Sequence, residues 1–192
     1  MRYKTYHKNQ ATLFIASRVW ILALLFLSLI SVSNTQAQIN ESDLKAAFIF
    51  NFTRFVTWPV KQTSLTQENK DFVIGLLGDN AFSESLNDLV RGEKVDRKPL
   101  IVRQIKKPAD AADCDIVFIP QSHEDELQAT LSITKGKPIL VIGDTAQMAN
   151  DGCIIAFDRK DRKVKIVVNL EAVEQSNLKI SSKLLRLSKL VR

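Results

Sequence analysis

Asp71–Asn80 reads DFVIGLLGDN. From Phe72 to Leu77 no polar residue breaks the run, which is how a strand buried on both faces reads, whereas a half-exposed strand would alternate. Gly78, Asp79 and Asn80 then make a turn, and AFSESLNDLVRG, Ala81–Gly92, spaces its apolar residues as a helix closed by glycine. Strand, turn and helix in that order make one half of a parallel α/β unit.

The pattern recurs after the turn. PLIVRQI, CDIVFIP and PILVIGD are further apolar strands, SHEDELQATLSIT reads as one helix, and TAQMAN as a short one. The expected fold is a single α/β domain, its mostly parallel sheet covered by helices on both faces. GCIIAFDRKDRKVKIVVNL departs from this scheme, because two strand-like runs flank a charged turn and predict a C-terminal β-hairpin. EAVEQSN predicts another helix. A terminal helix is expected to carry Ile180, Leu184, Leu187 and Val191 on a core-facing stripe, with Lys179, Lys183, Arg186 and Lys189 solvated opposite. An anionic membrane surface is the competing reading of those cations.

Toward the N-terminus, Arg2, Lys4, Lys8 and Arg18 precede the apolar run Val19–Val32 without an acidic residue among them. The run falls short of the roughly 20 residues that span a bilayer and passes into SNTQA, so residues 1–37 are expected to be a signal peptide cleaved after Ala37, with an uncleaved N-terminal membrane anchor as the alternative. Residues 38–192 then form the domain. The leader would remove four of the chain's 27 cations and none of its 21 acids, leaving a net charge of +2. Such a balance gives no case for a nucleic-acid partner. An exported chain meets an oxidising compartment, which makes Cys114 and Cys153 a candidate disulfide and equally a candidate pair of free thiols.

Catalytic patterns are missing from the sequence: no Walker loop, G-x-S-x-G elbow, H-E-x-x-H or C-x-x-C occurs. A non-enzymatic protein without cofactor or metal is expected. His123 follows Ser122 in a capping-box pattern and reads as a surface residue of a first helical turn. GLLGDN has two glycines but lacks the third of a dinucleotide fingerprint, so Asp79 or Asn80 is expected to cap the helix rather than face a nucleotide. Asp144 ends a later strand in the same way. Asn51, Asp79, Asn80 and Asp144 are the candidate ligand residues, the two acids being expected at the carboxyl edge of the sheet.

The first helix opens at Asn40 with NESD and places Leu44, Ala47, Phe48, Asn51, Phe52 and Phe55 at helical spacing, ending where Pro59 disfavours helix at Trp58. Phe48, Phe52 and Phe55 are expected core anchors. Asn51 on that face needs a partner or a ligand. Arg54 and Trp58 fall off the stripe and are the candidate partner-binding residues, with Trp58 as core cap the alternative.

The helix LKAAFIFNFTRFVTWP resembles the opening of the YfiR family of exported proteins. LLGDNAF, CDIVFIP, GKPILVIGD, DGCIIAF, KVKIVVNLEAV and LKISSKLLRLSKL resemble its later blocks in the same order. The resemblance implies a periplasmic α/β sandwich protein that represses a membrane-bound diguanylate cyclase of the YfiN type by binding its periplasmic part, lowering cyclic di-GMP and biofilm formation. It also implies an outer-membrane lipoprotein of the YfiB type as second partner, and leaves a homodimer open. In many relatives a cysteine stands at the position of Gly75 and pairs with the one matching Cys114; here that partner is glycine. A small-ligand-binding module is the alternative function, and an exported hydrolase ranks last.

Overall fold

The structure is a computed structural model and describes residues 41–59, 70–160 and 163–192. The expected leader, Asn40, the connector Val60–Asn69 and the turn residues Asp161 and Arg162 lie outside the described residues.

The first helix, α1, spans Glu41–Phe55, and β1, Val56–Thr57, follows at once. Strand β2, Phe72–Leu77, leads into helix α2, Ser83–Val90; a short β3, Lys94–Val95, then turns back into β4, Lys98–Ile105. A 3-10 turn at Pro108–Asp113 precedes β5, Ile116–Ile119. Next come a second 3-10 turn, Gln121–Glu126, helix α3, Leu127–Thr134, strand β6, Leu140–Gly143, and helix α4, Ala146–Asn150. Strands β7, Ile155–Lys160, and β8, Lys163–Asn169, make the expected antiparallel hairpin. The chain closes with α5, Leu170–Gln175, β9, Lys179–Ile180, α6, Ser182–Leu187, and β10, Lys189–Val191.

Eight strands form one sheet in the order β10-β8-β7-β6-β5-β2-β4-β3. Only the β7–β8 and β3–β4 pairs are antiparallel. Strands β2, β5 and β6 are buried at every position, as their unbroken apolar runs require. Alternate residues serve two cores. Ile74, Leu76, Ile116, Phe118 and Phe157 meet Ala46, Ile49 and Phe52 of α1 and Leu86 of α2 on one face. Val73, Leu77, Val117, Ile119 and Val141 meet Leu127 of α3 and Met148 of α4 on the other. Helices thus cover both faces. Residues Ile39–Arg192 make one compact unit that contains all these elements and their buried clusters, so it carries its own core.

Four expectations need correction. The fully buried residues of α1 are Ala46, Ile49 and Phe52, while Phe48 and Phe55 are half-buried at the flanks of the core. The helix meets the sheet one residue away from the stripe drawn through the phenylalanines. It also ends at Phe55 rather than Trp58, because Val56 and Thr57 pair antiparallel with Ile180 and Lys179. The expected terminal helix is in fact a strand, a short helix and another strand. Leu184 alone of its stripe is fully buried, and Leu187 is 72% exposed. Finally, the residues of SHEDELQATLSIT divide into a 3-10 turn and α3, with a non-helical backbone at His123.

Candidate functional site

Helix α1 has 15 residues, a length of about 22 Å at 1.5 Å per residue. It runs along the strands, from their carboxyl ends toward their amino ends. Its first turn stands at the carboxyl ends of the strands, where Lys45 Nζ lies 2.6 Å from Asp144 beyond β6. Its last residues lead to the opposite end, where Trp58 packs edge-to-face on Phe72, the first residue of β2, at 4.8 Å between ring centroids. The candidate acid Asp144 and the candidate pair Arg54 and Trp58 therefore sit at opposite ends of the strands.

At the carboxyl edge, Glu41, Lys45, Gln121, Asp144, Thr145 and Arg159 line most of a cleft of about 300 Å³. Lys45 bridges Asp144 and Glu41, the latter at 2.8 Å, and Arg159 reaches Glu41 at 2.6 Å. The other oxygen of Asp144 accepts the backbone N–H of Gln121 at 3.2 Å. Burial opposes the charge of Lys45, but hydrogen bonds to Asp144 and Glu41 outweigh it and hold the ammonium pKa above its ordinary value. The hydrogen bond from Lys45 holds Glu41 below the usual carboxylate value, against a smaller contribution from burial. Thr145 Oγ1 is buried in the wall without a hydrogen-bond partner among the described residues.

Open parallel sheets bind ligands where the strand order reverses, which here is between β2 and β5. That crevice is occupied by the protein itself. The imidazole of His123 lies so close to Gly78 that a Cβ there would stand 2.2 Å from its Cε1, and Gly78 also has φ +65. Only glycine suits both demands. Asp79 accepts a hydrogen bond from Gln104. Asn80 turns its amide back to the carbonyls of Leu77 and Gly78, at 3.1 and 3.2 Å, so no side-chain cap is made to α2. Asn51 lies away from this edge and donates to Ala47 O, one turn back, at 2.7 Å. Its need for a partner is met within α1.

Trp58, at the amino end, also donates its indole N–H to Asp115 O at 3.3 Å and is half-buried. Arg54 is exposed. Its guanidinium lies 4.9 Å from the ring centre of Phe50 and 3.9 Å from Glu93.

Cys114 and Cys153 are both free and buried. A Cβ at Gly75 of β2 would stand 2.6 Å from Cys114 Sγ, and one at Gly143 of β6 would stand 3.2 Å from Cys153 Sγ. Strand β5 runs between β2 and β6. The two thiols thus lie against different strands and are not bonded to each other in this structure. Burial pushes the Cys114 thiol up to about 11 and the Cys153 thiol higher still, keeping both protonated at neutral pH.

Sequence reasoning missed Lys45, the centre of the carboxyl-edge network. Its i, i+4 spacing from Glu41 was visible; Asp144, its partner from β6, was not. Compared with known proteins, residues 42–189 match the profile of the family described as YfiR/HmsC-like. No curated protein matches the chain. Among solved structures, the chain is similar to a conserved domain protein from Vibrio cholerae O1 biovar El Tor at 15% identity and a TM-score of 0.47, covering 79% of this chain and 60% of that one. It is also similar to an ABC domain from Streptococcus pneumonia, solved in complex with L-Trp, at 10% identity and a TM-score of 0.41, covering 62% and 55%. The chain spans 60% or less of the length of both.

Proposed function

This chain belongs to the YfiR/HmsC-like family, which is associated with regulating diguanylate cyclase signalling, and from that premise we propose that it is a periplasmic, non-enzymatic regulator. In this reading residues 1–37 direct export and are removed. The domain then binds the periplasmic sensory part of an inner-membrane diguanylate cyclase and holds it inactive, and an outer-membrane lipoprotein of the YfiB type competes for it. Family membership over residues 42–189 carries the proposal. Two features of the chain support it. Both thiols, the strongest nucleophiles available, are buried and protonated. The acids at the carboxyl edge are engaged by other groups of the chain, Asp79 by Gln104 and Asp144 by Lys45.

Recognition is assigned to the amino end of the domain, where Arg54 is exposed beside Phe50 and Trp58 closes the core behind it. Deleting the gene is expected to raise cellular cyclic di-GMP and biofilm formation. Purified protein is expected to retain the cyclase's periplasmic domain in a pull-down, and Arg54→Ala to weaken that retention without lowering Tm. Unchanged cyclic di-GMP with the cyclase expressed would overturn the repressor role.

The cleft at Lys45, Asp144 and Arg159, with the unpartnered Thr145 hydroxyl in its wall, favours a second reading as a small-ligand module. A thermal-shift screen against amino acids and nucleotides tests it, with Thr145→Val abolishing any stabilisation found.

A further inference from the structure

Residues Leu178–Arg192 contain Lys179, Lys183, Arg186, Lys189 and Arg192 and no acid. The first four are exposed, and none of them lies within ion-pair distance of a carboxylate among the described residues. Elsewhere Lys45, Arg54, Lys70, Arg91 and Arg159 have acidic partners among the described residues, whereas exposed lysines such as Lys94, Lys106, Lys135 and Lys137 are likewise unpaired, so what sets this segment apart is its run of cations without an acid beside exposed leucines. Lys183 Nζ lies 5.7 Å from the ring centre of Phe55. Along the chain Leu187 and Leu190 fall among these cations, 72% and 47% exposed, the two most exposed of the three large apolar side chains that face water among the described residues. One ends α6 and the other sits in β10, the outermost strand of the sheet. The solvated cations foreseen for this segment are present, but its leucine stripe is not fully sheltered by the core.

We propose that this border is a membrane-docking surface, at which Leu187 and Leu190 enter the interface of an anionic phospholipid bilayer while Lys179, Lys183, Arg186 and Lys189 meet the headgroups. The chemistry fits on both counts. Apolar side chains that penetrate a bilayer boundary gain by leaving water, and clustered cations are drawn to its negative surface, with their aliphatic stems following the leucines inward. An acidic strand added to the sheet edge is the lesser candidate. Strand β10 is only three residues long and begins with lysine, both of which discourage strand addition. A second copy would bring two sets of cations together. The inference stands independently of the regulatory reading.

The test is co-sedimentation of residues 39–192, the compact unit, with vesicles of phosphatidylcholine alone or with about 30% phosphatidylglycerol. Binding is expected only to the anionic vesicles and should weaken when salt is raised from about 0.1 M to about 0.5 M. Leu187→Ser/Leu190→Ser and Arg186→Glu/Lys189→Glu should each reduce the bound fraction about tenfold or more, with Tm unchanged. Protein left in the supernatant with anionic vesicles, equal binding to neutral ones, or undiminished binding by either double variant would overturn the proposal. So would capture by polyglutamate beads without capture by vesicles, which would assign the surface to an acidic polypeptide. If a variant's Tm falls, Leu187→Gln and Lys189→Gln, each made alone, replace it and must weaken binding in the same direction.

Discussion

At the carboxyl edge of the sheet Lys45 meets Glu41 and Asp144, Arg159 meets Glu41, Gln104 meets Asp79, and His123 covers Gly78. Along the β9–α6–β10 border Lys179, Lys183, Arg186 and Lys189 have no acid beside them, and Leu187 and Leu190 face water. The first region spends its charged groups on the protein's own structure, with the Thr145 hydroxyl left over; the second has cations with no acid beside them, Lys183 alone lying over a ring, that of Phe55. The charges of the customary ligand edge are thus matched within the chain, and those of the C-terminal rim are not matched by acids among the described residues.

Substitutions can separate the two regions by what they cost. The largest loss is expected from Phe52→Ala, because Phe52 is fully buried against Phe157, at 6.3 Å between centroids, and joins α1 to the sheet. About 3–5 kcal/mol should be lost, measured by chemical denaturation. Half-buried Phe48 and Phe55 should cost less on the same measurement. A Phe48→Ala loss equal to that of Phe52→Ala would mean that α1 sits one residue differently on the sheet.

Lys45→Met comes next. It leaves Asp144 without its cation, and both side chains are mostly buried, at 14% and 17% exposed. A loss of about 2–3 kcal/mol is expected, below the range for fully buried pairs. The double variant Lys45→Met/Asp144→Asn should recover most of it. If it does not, the pair does not act as a unit and the contrast with the free cations fails.

Acid should act on the same network more weakly. Glu41 has a folded pKa below its ordinary 4.5, first because Lys45 donates to it, so it stabilises the fold above 4.5 and that contribution disappears as pH falls through the folded value. Lys45 is raised above 10.5, so its contribution is present below that value and disappears only as pH rises through the higher folded one. Glu41→Gln should flatten the acid side of a Tm–pH profile, by less than about 1 kcal/mol for a partly solvated pair. The smallest effect belongs to the open border. Leu187→Ser and Leu190→Ser should each leave stability within about 0.5 kcal/mol of wild type, and a larger loss would show that they pack as core.

What could be read from the sequence follows the range of the forces involved. The doubly buried strands β2, β5 and β6 are legible because burial on both faces needs consecutive apolar residues, and the β7–β8 hairpin because its turn is local. The end of the chain misleads, since Ile180, Leu184, Leu187 and Val191 do follow helical spacing. Ile180 is drawn into a strand by Val56, and Leu190 by Val168, through pairings that no local period encodes. The site was half legible for the same reason. Asp79 and Asp144 announced themselves at strand ends, but their partners Gln104 and Lys45 come from other elements.

The small ribbon formed by Val56–Thr57 and Lys179–Ile180 bears on the order of assembly. A ribosome delivers the chain from the N-terminus, so the segment beside the first helix must wait for nearly the whole polypeptide before it meets its mate. Ser181 then also donates to Phe55 O, at 2.8 Å, joining the two ends of the domain. Contacts so distant along the chain are slow to form and leave nascent apolar surface uncovered in the meantime. A chain cut short before Lys179 would retain its central strands and lose this clasp, so fragments released early should be prey to proteases and aggregation.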